Sequence, residues 1–427
     1  MTYRAPVEDI SFALKTVAGA DALLADGRYG DVGEELVTAI LEEAGRFASD
    51  EIAPLNAVGD RQGTPLSDGV VTMPEGFGDV YRAWCEGGWA GVGAPEIYGG
   101  QGLPLTLSMA VTELWNQASM AFGLGMVLTM GQIEALAEHA SDEIKQRFIP
   151  KLASGDWTGT MNLTEPQAGS DLALLRSRAE PQEDGSYRIF GTKIYITYGE
   201  HDLTENIVHL VLARLPDAPA GTRGISLFVV PKFLINDDGS IGARNDVKCI
   251  GVEHKMGIHA SPTCTMIYGD SGEGARGWLV GEENRGLACM FTMMNNARLA
   301  VGIQGVAIAE RAMQQAEAYA HERRQGRKAG MGPDQAVAIA EHPDVKRNLM
   351  TMRALTEASR AICYRTALEL DLAEIGADEE ERRKAYETAS LLTPLAKAFS
   401  TDIGVEVASI GVQVHGGMGY VEETGAA

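Results

Sequence analysis

The spacing of apolar residues changes twice along the chain and predicts three successive regions. From Gly33 to about Gly155 the apolar residues recur mostly at helical spacing, as in Leu36-Ile40-Leu41-Ala44. Loops rich in glycine and proline, such as residues 91–96, separate these segments. The first region, residues 1–155, is therefore predicted to be an N-terminal helical domain.

Short β-rich runs occupy the next part of the chain. They are Trp157–Leu163, Tyr187–Phe190, Lys193–Thr197, Ile207–Ala213, Ile225–Val230 and Thr263–Tyr268. Asp184-Gly185 predicts a hairpin, and Gly191 predicts the turn after it. Closely spaced strands with tight turns are typical of an antiparallel sandwich or barrel, whereas a doubly wound sheet would alternate strands with helices. Residues 156–284 are therefore predicted to form a middle antiparallel β domain.

Helical spacing returns from Gly286 onward. The candidate helices are Leu287–Arg323, His342–Ile375 and Asp378–Val412, with a polar loop at Gln325–Asp334. Three long antiparallel helices favour a fourth that completes a bundle. The sequence reaches Ala427 without one, so we expect residues 285–427 to form a C-terminal helical bundle whose last helix is missing. The predicted fold class is α+β.

Composition and charge narrow the classes of partner. The net charge of −23 argues against a nucleic acid held through its phosphates. Five cysteines without paired spacing and eight histidines without a ligand pattern predict reduced thiols, a cytoplasmic protein and no metal site. The start of the chain does not resemble a signal peptide. The apolar stretch Met120–Met130 is too short to span a bilayer, so a buried helix and no membrane span are expected.

The first segment whose residues could bind a ligand is the turn at residues 161–171, Met-Asn-Leu-Thr-Glu-Pro-Gln-Ala-Gly-Ser-Asp. Pro166 and Gly169 favour a turn, and Thr164, Ser170 and Asp171 place hydroxyls and amides at its tip. Such a tip can present several donors to one edge of a planar ligand. Turns of this composition more often only connect strands, so both interpretations stay open at this point.

A second segment is the predicted strand at residues 191–199. Alternation would place Tyr195 and Thr197 on one face, opposite Ile194 and Ile196. One aromatic ring and one hydroxyl on a face could stack against and hydrogen-bond a planar ring. The alternative is a tyrosine that only packs.

The third segment lies on the helix that begins near Leu287. Phe291, Asn295, Arg298, Gly302 and Gly305 fall on one helical face. Each glycine costs about 1 kcal/mol of helix propensity, and a buried arginine needs a partner. Either a ligand lies across this face, or the helix packs closely on another with an internal salt bridge.

The fourth segment, residues 411–420, carries glycines at 416, 417 and 419 directly after a helix. These suit a close backbone approach to a ligand, or a simple helix terminus. It is not a dinucleotide-binding fingerprint, because no strand precedes it and no helix follows.

Taken together, in this order and with these separations, the segments resemble the acyl-CoA dehydrogenase family. The matching motifs are Thr164–Asp171, Lys193–Thr197, the Arg298 helix, Tyr319–Arg323 and Gln413–Gly419. The resemblance covers essentially the whole chain. Within the family, residues 3–10, 252–263 and 291–298 are most similar to the 3-methylmercaptopropionyl-CoA dehydrogenase branch.

The resemblance implies an FAD cofactor and a role for each motif. The turn that holds Met161, Leu163, Thr164 and Ser170 would line the flavin edge, with Ser170 also beside the passing CoA chain. Tyr195 and Thr197 would back the isoalloxazine and reach its N5 side, and Asn295, Asn296 and Arg298 would contact the acyl-CoA. The FAD of a neighbouring subunit would have its pyrophosphate and adenosine held by Arg323, Gln413, Gly416 and Gly417. A homodimer or homotetramer is therefore expected.

Two positions depart from the family pattern. The family commonly has tryptophan where this chain has Tyr195, which still offers an aromatic face. It also commonly has an aromatic residue where this chain has Gly326, so stacking on the adenine is not expected there.

The implied reaction is α,β-dehydrogenation of an acyl-CoA thioester, with 3-methylthiopropionyl-CoA as candidate substrate and an electron-transfer flavoprotein as electron acceptor. An acyl-CoA oxidase that uses oxygen and a non-catalytic FAD- or CoA-binding protein are the alternatives.

The catalytic base is the remaining question at this stage. In the family the base is a glutamate after the glycine-rich turn, or one directly before the arginine of the helix. The second position is Ala297 here, and Glu422 and Glu423 are expected on the surface. The base is therefore expected beyond Ala427, and the 427-residue chain is expected to be inactive.

Overall fold

The computed structural model describes residues 3–328, 330, 332 and 335–426. The chain forms two compact units, each built from separate segments. Unit 1 comprises Met1–Pro54, Pro104–Met120 and Arg298–Ala427, and unit 2 comprises Leu55–Leu103 and Ala121–Ala297. The division into domains 1–155, 156–284 and 285–427 stays a prediction.

The helices begin and end where local chemistry supports them. The Ser141 hydroxyl accepts from the Ile144 amide at one helix start, and Asp378 accepts from the Glu381 amide at another, 2.8 Å away. Gly416, with φ +62°, ends the last long helix. The α-helices are α1 Val7–Phe12, α2 Ala20–Ala25, α3 Glu34–Phe47, α4 Ala53–Gln62, α5 Phe77–Glu86, α6 Leu105–Ala118, α7 Met120–His139, α8 Asp142–Ala153, α9 Gly286–Glu322, α10 Pro343–Ile375 and α11 Glu379–His415.

The strands of unit 2 form one main sheet and two small hairpins. They are β1 Leu66–Ser67, β2 Val70–Val71, β3 Trp157–Asn162, β4 Arg178–Pro181, β5 Tyr187–Thr197, β6 Asn206–Ala213, β7 Ser226–Pro231, β8 Phe233–Ile235, β9 Ile241–Arg244, β10 Val247–Val252, β11 Thr263–Tyr268 and β12 Ala275–Val280. The main sheet has the order β10-β11-β5-β12-β7-β6-β3, and β4 pairs with β5. The first half of β5 pairs with β4 and β12, and its second half pairs with β11.

Strands β6 and β7 are buried on both faces. Leu210, Leu212 and Val229 pack with residues of α7 and α8 in one apolar cluster. Val211 and Phe228, which point the other way, pack with residues of β5, β10 and β11 in a second cluster. Burial on both sides explains why these strands read as continuous apolar runs rather than alternating ones. The turn after β3 therefore follows a strand that is paired with the doubly buried β6.

Arg360, which is fully buried, forms the centre of a charged network in unit 1. Its guanidinium donates to Glu113 at 2.8 and 2.9 Å and to Glu310 at 2.9 Å, and the Tyr364 hydroxyl donates to Glu113 at 2.6 Å. Burial raises the pKa of Glu113, although Arg360 opposes that shift. The network joins α6, α9 and α10, so α6 is one partner of the long C-terminal helices.

The predicted α+β class is confirmed, with helical regions on either side of a β region in the chain. Three details of the prediction are wrong. Gly191 lies inside β5, paired with Tyr268, rather than in a turn, and a side chain would not fit there because Ser177 Oγ would lie 2.2 Å from an added Cβ. Strands β3 and β6 are parallel, not antiparallel. In the main sheet the prediction also missed β4, β10 and β12, whose polar or glycine residues interrupt the apolar pattern, and it missed both small hairpins, β1–β2 and β8–β9.

Helix α7 is longer than the apolar stretch Met120–Met130 at its start, so the stretch alone underestimated its length. The helix has 20 residues, and by length and composition it is the one described helix that could cross a membrane. In the most apolar 18-residue stretch of this helix, 72% of the stretch is buried inside the structure. The prediction of a buried helix is confirmed, but the segment is longer than the sequence pattern suggested.

Candidate active site

The turn after β3 is closed by two backbone hydrogen bonds. The Glu165 amide donates to the Ala168 carbonyl at 2.9 Å, and the Ala168 amide donates back at 3.0 Å. Thr164 is half-buried and Ser170 is exposed. Neither hydroxyl is hydrogen-bonded to another residue in the part of the chain that the structure describes. The turn is thus internally fixed and still has donors available for a ligand.

A β-bulge in β5 brings Tyr195 to the surface. Lys193 pairs with Met266 and Ile196 pairs with Cys264, so Ile194 and Tyr195 together face one residue of β11. Tyr195 has φ +60°, and 61% of it is exposed. The extra residue breaks the predicted alternation, because Lys193 now shares the buried side with Ile196 and Ile194 is half-buried. Tyr195 and the half-buried Thr197 still flank the buried Ile196.

Lys193 connects the bulged strand to the turn. Its side chain is fully buried, and Nζ donates to Glu165 Oε1 at 2.9 Å and to the Leu163 carbonyl at 3.0 Å. The Ile194 amide donates to the Thr164 carbonyl at 2.9 Å. Two of these bonds tie Leu163 and Thr164 to β5, and the third ties Glu165 to it.

Glu165 completes this junction. It also accepts from the Ser177 hydroxyl at 2.6 Å and from the Arg176 amide at 2.7 Å. Burial would raise the pKa of Glu165, but Lys193 and these hydrogen bonds outweigh burial and lower it to about 2. Burial lowers the pKa of Lys193 to about 8, although Glu165 opposes the shift. The pair is thus ionised at neutral pH.

The sequence prediction quoted both residues in its motifs but gave neither a role. A lysine within an apolar strand was the available signal, because a buried ammonium needs a carboxylate or carbonyl partner.

The predicted substrate residues lie around the first half of α9. Asn295 and Arg298 are exposed, as is Phe291, so these three residues share an accessible helical face. Asn296 is buried, and its amide donates to Glu134 Oε2 at 2.8 Å in unit 2. Its Oδ1 is buried without a hydrogen-bond partner in the described chain. The inferred burial of Arg298 was wrong.

The two glycines that follow have a structural cause. In unit 1, a Cβ on Gly302 would lie 2.9 Å from the Ala396 carbonyl oxygen, and one on Gly305 would lie 2.2 Å from that of Ser400. Both glycines therefore allow α9 to approach α11 closely. Of the two interpretations left open by the sequence, close helix packing accounts for Gly302 and Gly305.

A second group of predicted residues meets in unit 1. The Tyr319 and His415 rings stack with their centroids 4.5 Å apart, which joins the end of α9 to the end of α11. Arg323 follows Tyr319 by one turn, and Gln413 precedes His415 by two residues; both are exposed. Gly416 and Gly417 are also exposed, and an added Cβ on either would meet open space. Arg323, Gln413, Gly416 and Gly417 are thus brought to one end of the helix pair.

The departure at Gly326 also has a local cause. Gly326 has φ +74°, and an added Cβ would lie 3.1 Å from His342 Nε2. A side chain there would be both strained and crowded.

Candidate acid–base groups are few at the C-terminal end. Glu422 and Glu423 are exposed in a short turn, as expected, and Ala297 cannot accept a proton. Within the described residues, no cluster of three or more His, Cys, Asp or Glu side chains could hold a metal ion.

Each unit, taken by itself, presents groups that suit one kind of ligand fragment. Unit 2 offers the exposed Tyr195 ring and, on the turn after β3, the Thr164 hydroxyl; the Thr164 carbonyl is held by the amide of Ile194, the residue before Tyr195. Unit 1 offers Arg323 after the end of α9 and the open backbone of Gly416 and Gly417 after the end of α11, and such groups suit a pyrophosphate.

Comparison with known proteins gives three matches to family descriptions. Residues 34–156 match the N-terminal domain of acyl-CoA dehydrogenases, residues 160–271 match the middle domain, and residues 284–427 match the C-terminal domain.

Individual relatives agree with these matches. A 3-methylmercaptopropionyl-CoA dehydrogenase from Ruegeria pomeroyi is 52% identical over 427 residues, covering 100% of this chain and 72% of the relative. A butyryl-CoA dehydrogenase from Syntrophomonas wolfei is 36% identical over 99% of this chain and 70% of its own length. A solved acyl-CoA dehydrogenase from Bacillus anthracis, complexed with FAD, has a TM-score of 0.74 at 25% identity, covering 92% of this chain and 62% of that one.

Proposed function

This chain belongs to the acyl-CoA dehydrogenase family, and on that premise we propose that it binds FAD and desaturates an acyl-CoA thioester between its α and β carbons. The observation that carries the proposal is the junction of Lys193, Glu165 and the β5 bulge. It ties the Thr164 turn to the strand that carries the exposed Tyr195 ring, an arrangement that suits a planar redox cofactor. FAD, when bound, supplies the hydride acceptor for this chemistry.

Each part of the FAD has proposed contacts on the chain. Met161, Leu163, Thr164 and Ser170 hold the flavin edge through backbone groups and hydroxyls, while Tyr195 and Thr197 lie against its ring. Arg323, Gln413, Gly416 and Gly417 hold the pyrophosphate and adenosine of the FAD bound by a neighbouring subunit. Arg323 gives charge-assisted hydrogen bonds to phosphate oxygens, and the glycine backbone allows close approach.

The acyl-CoA is proposed to contact Ser170, Asn295, Asn296 and Arg298. The side-chain amide nitrogen of Asn296 is already engaged by Glu134, so its buried Oδ1 is left to accept a hydrogen bond from the ligand. Arg298 places a positive charge on the accessible face of α9. The α proton is proposed to be removed by a carboxylate, which Ala297 cannot supply.

The substrate is proposed to be 3-methylthiopropionyl-CoA, and the electron acceptor an electron-transfer flavoprotein. Support for the substrate comes from the Ruegeria pomeroyi relative, which is 52% identical across the whole chain. We also propose a cytoplasmic location, which fits five free cysteines, four of them buried.

We further propose that the chain forms a homodimer or homotetramer. Helix α11 buries one stripe, including Ala389, Thr393 and Ala396, and exposes an apolar stripe formed by Leu391, Leu395 and Phe399. Exposed apolar stripes on long helices are commonly covered by another subunit.

The test has two steps. The purified chain is first titrated with FAD and with FMN, and selective uptake of FAD is expected. The holoprotein is then titrated anaerobically with 3-methylthiopropionyl-CoA and butyryl-CoA, following ligand-induced changes in the flavin absorbance. Tighter binding of the methylthio compound is expected. A preparation that takes up no FAD overturns the proposal.

A further inference from the structure

Lys193 contacts one particular peptide group. Its ammonium donates to the carbonyl of Leu163, which belongs to the same peptide as the amide of Thr164. In a trans peptide the carbonyl and the amide point in opposite directions, and the described chain has no cis peptide bonds. The Thr164 amide therefore points away from Lys193.

That amide is free to act on a ligand. Backbone hydrogen bonds engage the amides of Glu165 and Ala168 within the turn, and the Thr164 carbonyl accepts from Ile194. Over the described residues, the Thr164 amide donates to no protein acceptor.

Water does not screen the charge of Lys193 at this point. Its side chain is fully buried, and that of its partner Glu165 is 3% exposed. Glu165 spreads its own charge over Ser177 and the Arg176 amide as well as over Lys193. A hydrogen bond from an ammonium to a carbonyl polarises the whole peptide, and such polarisation is strong where water is absent.

We propose that Lys193 is a positioning residue that raises the reduction potential of the flavin by polarising the Leu163–Thr164 peptide. This rests on the proposed function, in which the Thr164 turn lies on the flavin edge. A more polarised amide is a better donor to the negative charge that builds on the flavin during reduction. The ion pair with Glu165 keeps Lys193 charged and in place.

The experiment compares flavin midpoint potentials of the FAD-loaded wild type, Lys193→Met and Lys193→Arg by equilibration with a reference dye. At a fixed solution potential, Lys193→Met is expected to lower the ratio of reduced to oxidised flavin about tenfold. This corresponds to a midpoint potential lower by about 30 mV for a two-electron couple. Lys193→Arg, which keeps the charge, is expected to lie between Lys193→Met and the wild type.

The matched control is Lys232→Met. Lys232 is also buried in unit 2 and is paired with a buried carboxylate, Glu200, and among the described residues no hydrogen bond or ion pair joins it to the turn. It is expected to lose stability without a change in potential. If Lys193→Met does not fold, the double variant Glu165→Gln, Lys193→Met removes both charges together and is expected to show the same lowered potential.

The outcomes separate the two proposals. A wild-type chain that takes up no FAD overturns the proposed function, and the inference with it. FAD-loaded variants with the wild-type potential overturn only the inference, as does an equal shift in Lys232→Met.

Discussion

The ring of Tyr319 stacks on the ring of His415 with an angle of 26° between their planes. The stack lies between the end of α9, which carries Arg323, and the end of α11, which carries Gln413. We expect Tyr319→Ala to weaken FAD binding roughly tenfold, about 1.4 kcal/mol, because the two groups lose their fixed spacing. FAD titration measures the effect. The exposed Tyr386→Ala on α11 serves as control, and equal affinities in both variants would refute this role.

Arg298→Ala is expected to impair ligand binding more than folding. Arg298 is exposed, so its removal opens no core cavity, while the accessible face of α9 loses its charge. Acyl-CoA affinity should fall roughly tenfold, about 1.4 kcal/mol, with little change in melting temperature. The control is Arg347→Ala, an exposed arginine on α10. A large drop in melting temperature with normal acyl-CoA binding would instead assign Arg298 a structural role.

Gly305→Ala should lower the stability of the fold, whereas Gly417→Ala should lower the affinity for FAD. The added Cβ of the first would lie 2.2 Å from the Ser400 carbonyl oxygen, so we expect destabilisation of about 1–3 kcal/mol. The Cβ of the second meets no atom within 4 Å, so stability should hold while FAD affinity falls. Thermal melts and FAD titrations of both variants check the contrast. A Gly417→Ala protein with unchanged FAD affinity would remove Gly417 from the site.

Two buried histidines predict a loss of stability in mild acid. Burial lowers the pKa values of His201 and His209 to about 3, whereas an unfolded histidine titrates near 6.5. Below about pH 6.5 the unfolded state binds the extra protons, so stability falls as the pH falls from there toward 3. The slope is about 1.4 kcal/mol per pH unit for each histidine.

Urea unfolding at several pH values measures this slope. Replacing both buried histidines by glutamine should reduce it, and His254→Gln, at an exposed position, should not. An unchanged slope in the double variant would show that other groups cause the acid sensitivity.

Leu395→Glu should dissociate the proposed oligomer. The substitution puts a charge in the middle of the apolar stripe on α11 but replaces an exposed residue rather than a buried one. Sedimentation velocity should show a smaller species. Met350→Glu, which changes another exposed apolar residue on α10, should keep the wild-type size. A wild-type chain that sediments as a monomer would refute the assembly.

Much of the fold followed from local pattern. The bounds of α9, α10 and α11 were predicted within three residues. Capping residues such as Asp378 and helix-ending glycines such as Gly416 can be recognised from the sequence alone. Strands β6 and β7 were recognised as apolar runs. Strand β12 was missed because Arg276 and Gly277 interrupt it, and the parallel pairing of β3 with β6 depends on contacts between distant segments.

The residues of the candidate site could be predicted from the sequence, but the contacts that position them could not. Thr164 and Tyr195 were selected from their motifs, yet the bulge that exposes Tyr195 arises from register between β5 and β11. The role of Lys193 also depends on a carboxylate 28 positions earlier in the chain. Neither spacing nor periodicity reports such a pairing.

The charged network around Arg360 has a consequence for how this chain can diverge. Losing Arg360 alone would leave Glu113 and Glu310 as unmatched charges in an apolar interior, at a cost of about 3–5 kcal/mol. Losing Glu113 alone would leave Tyr364 and Gln117 without their acceptor. Single substitutions at these positions therefore pass through weakened proteins, whereas concerted ones do not. Over evolutionary time these residues should be inherited or replaced together, as a single heritable unit spread over three helices.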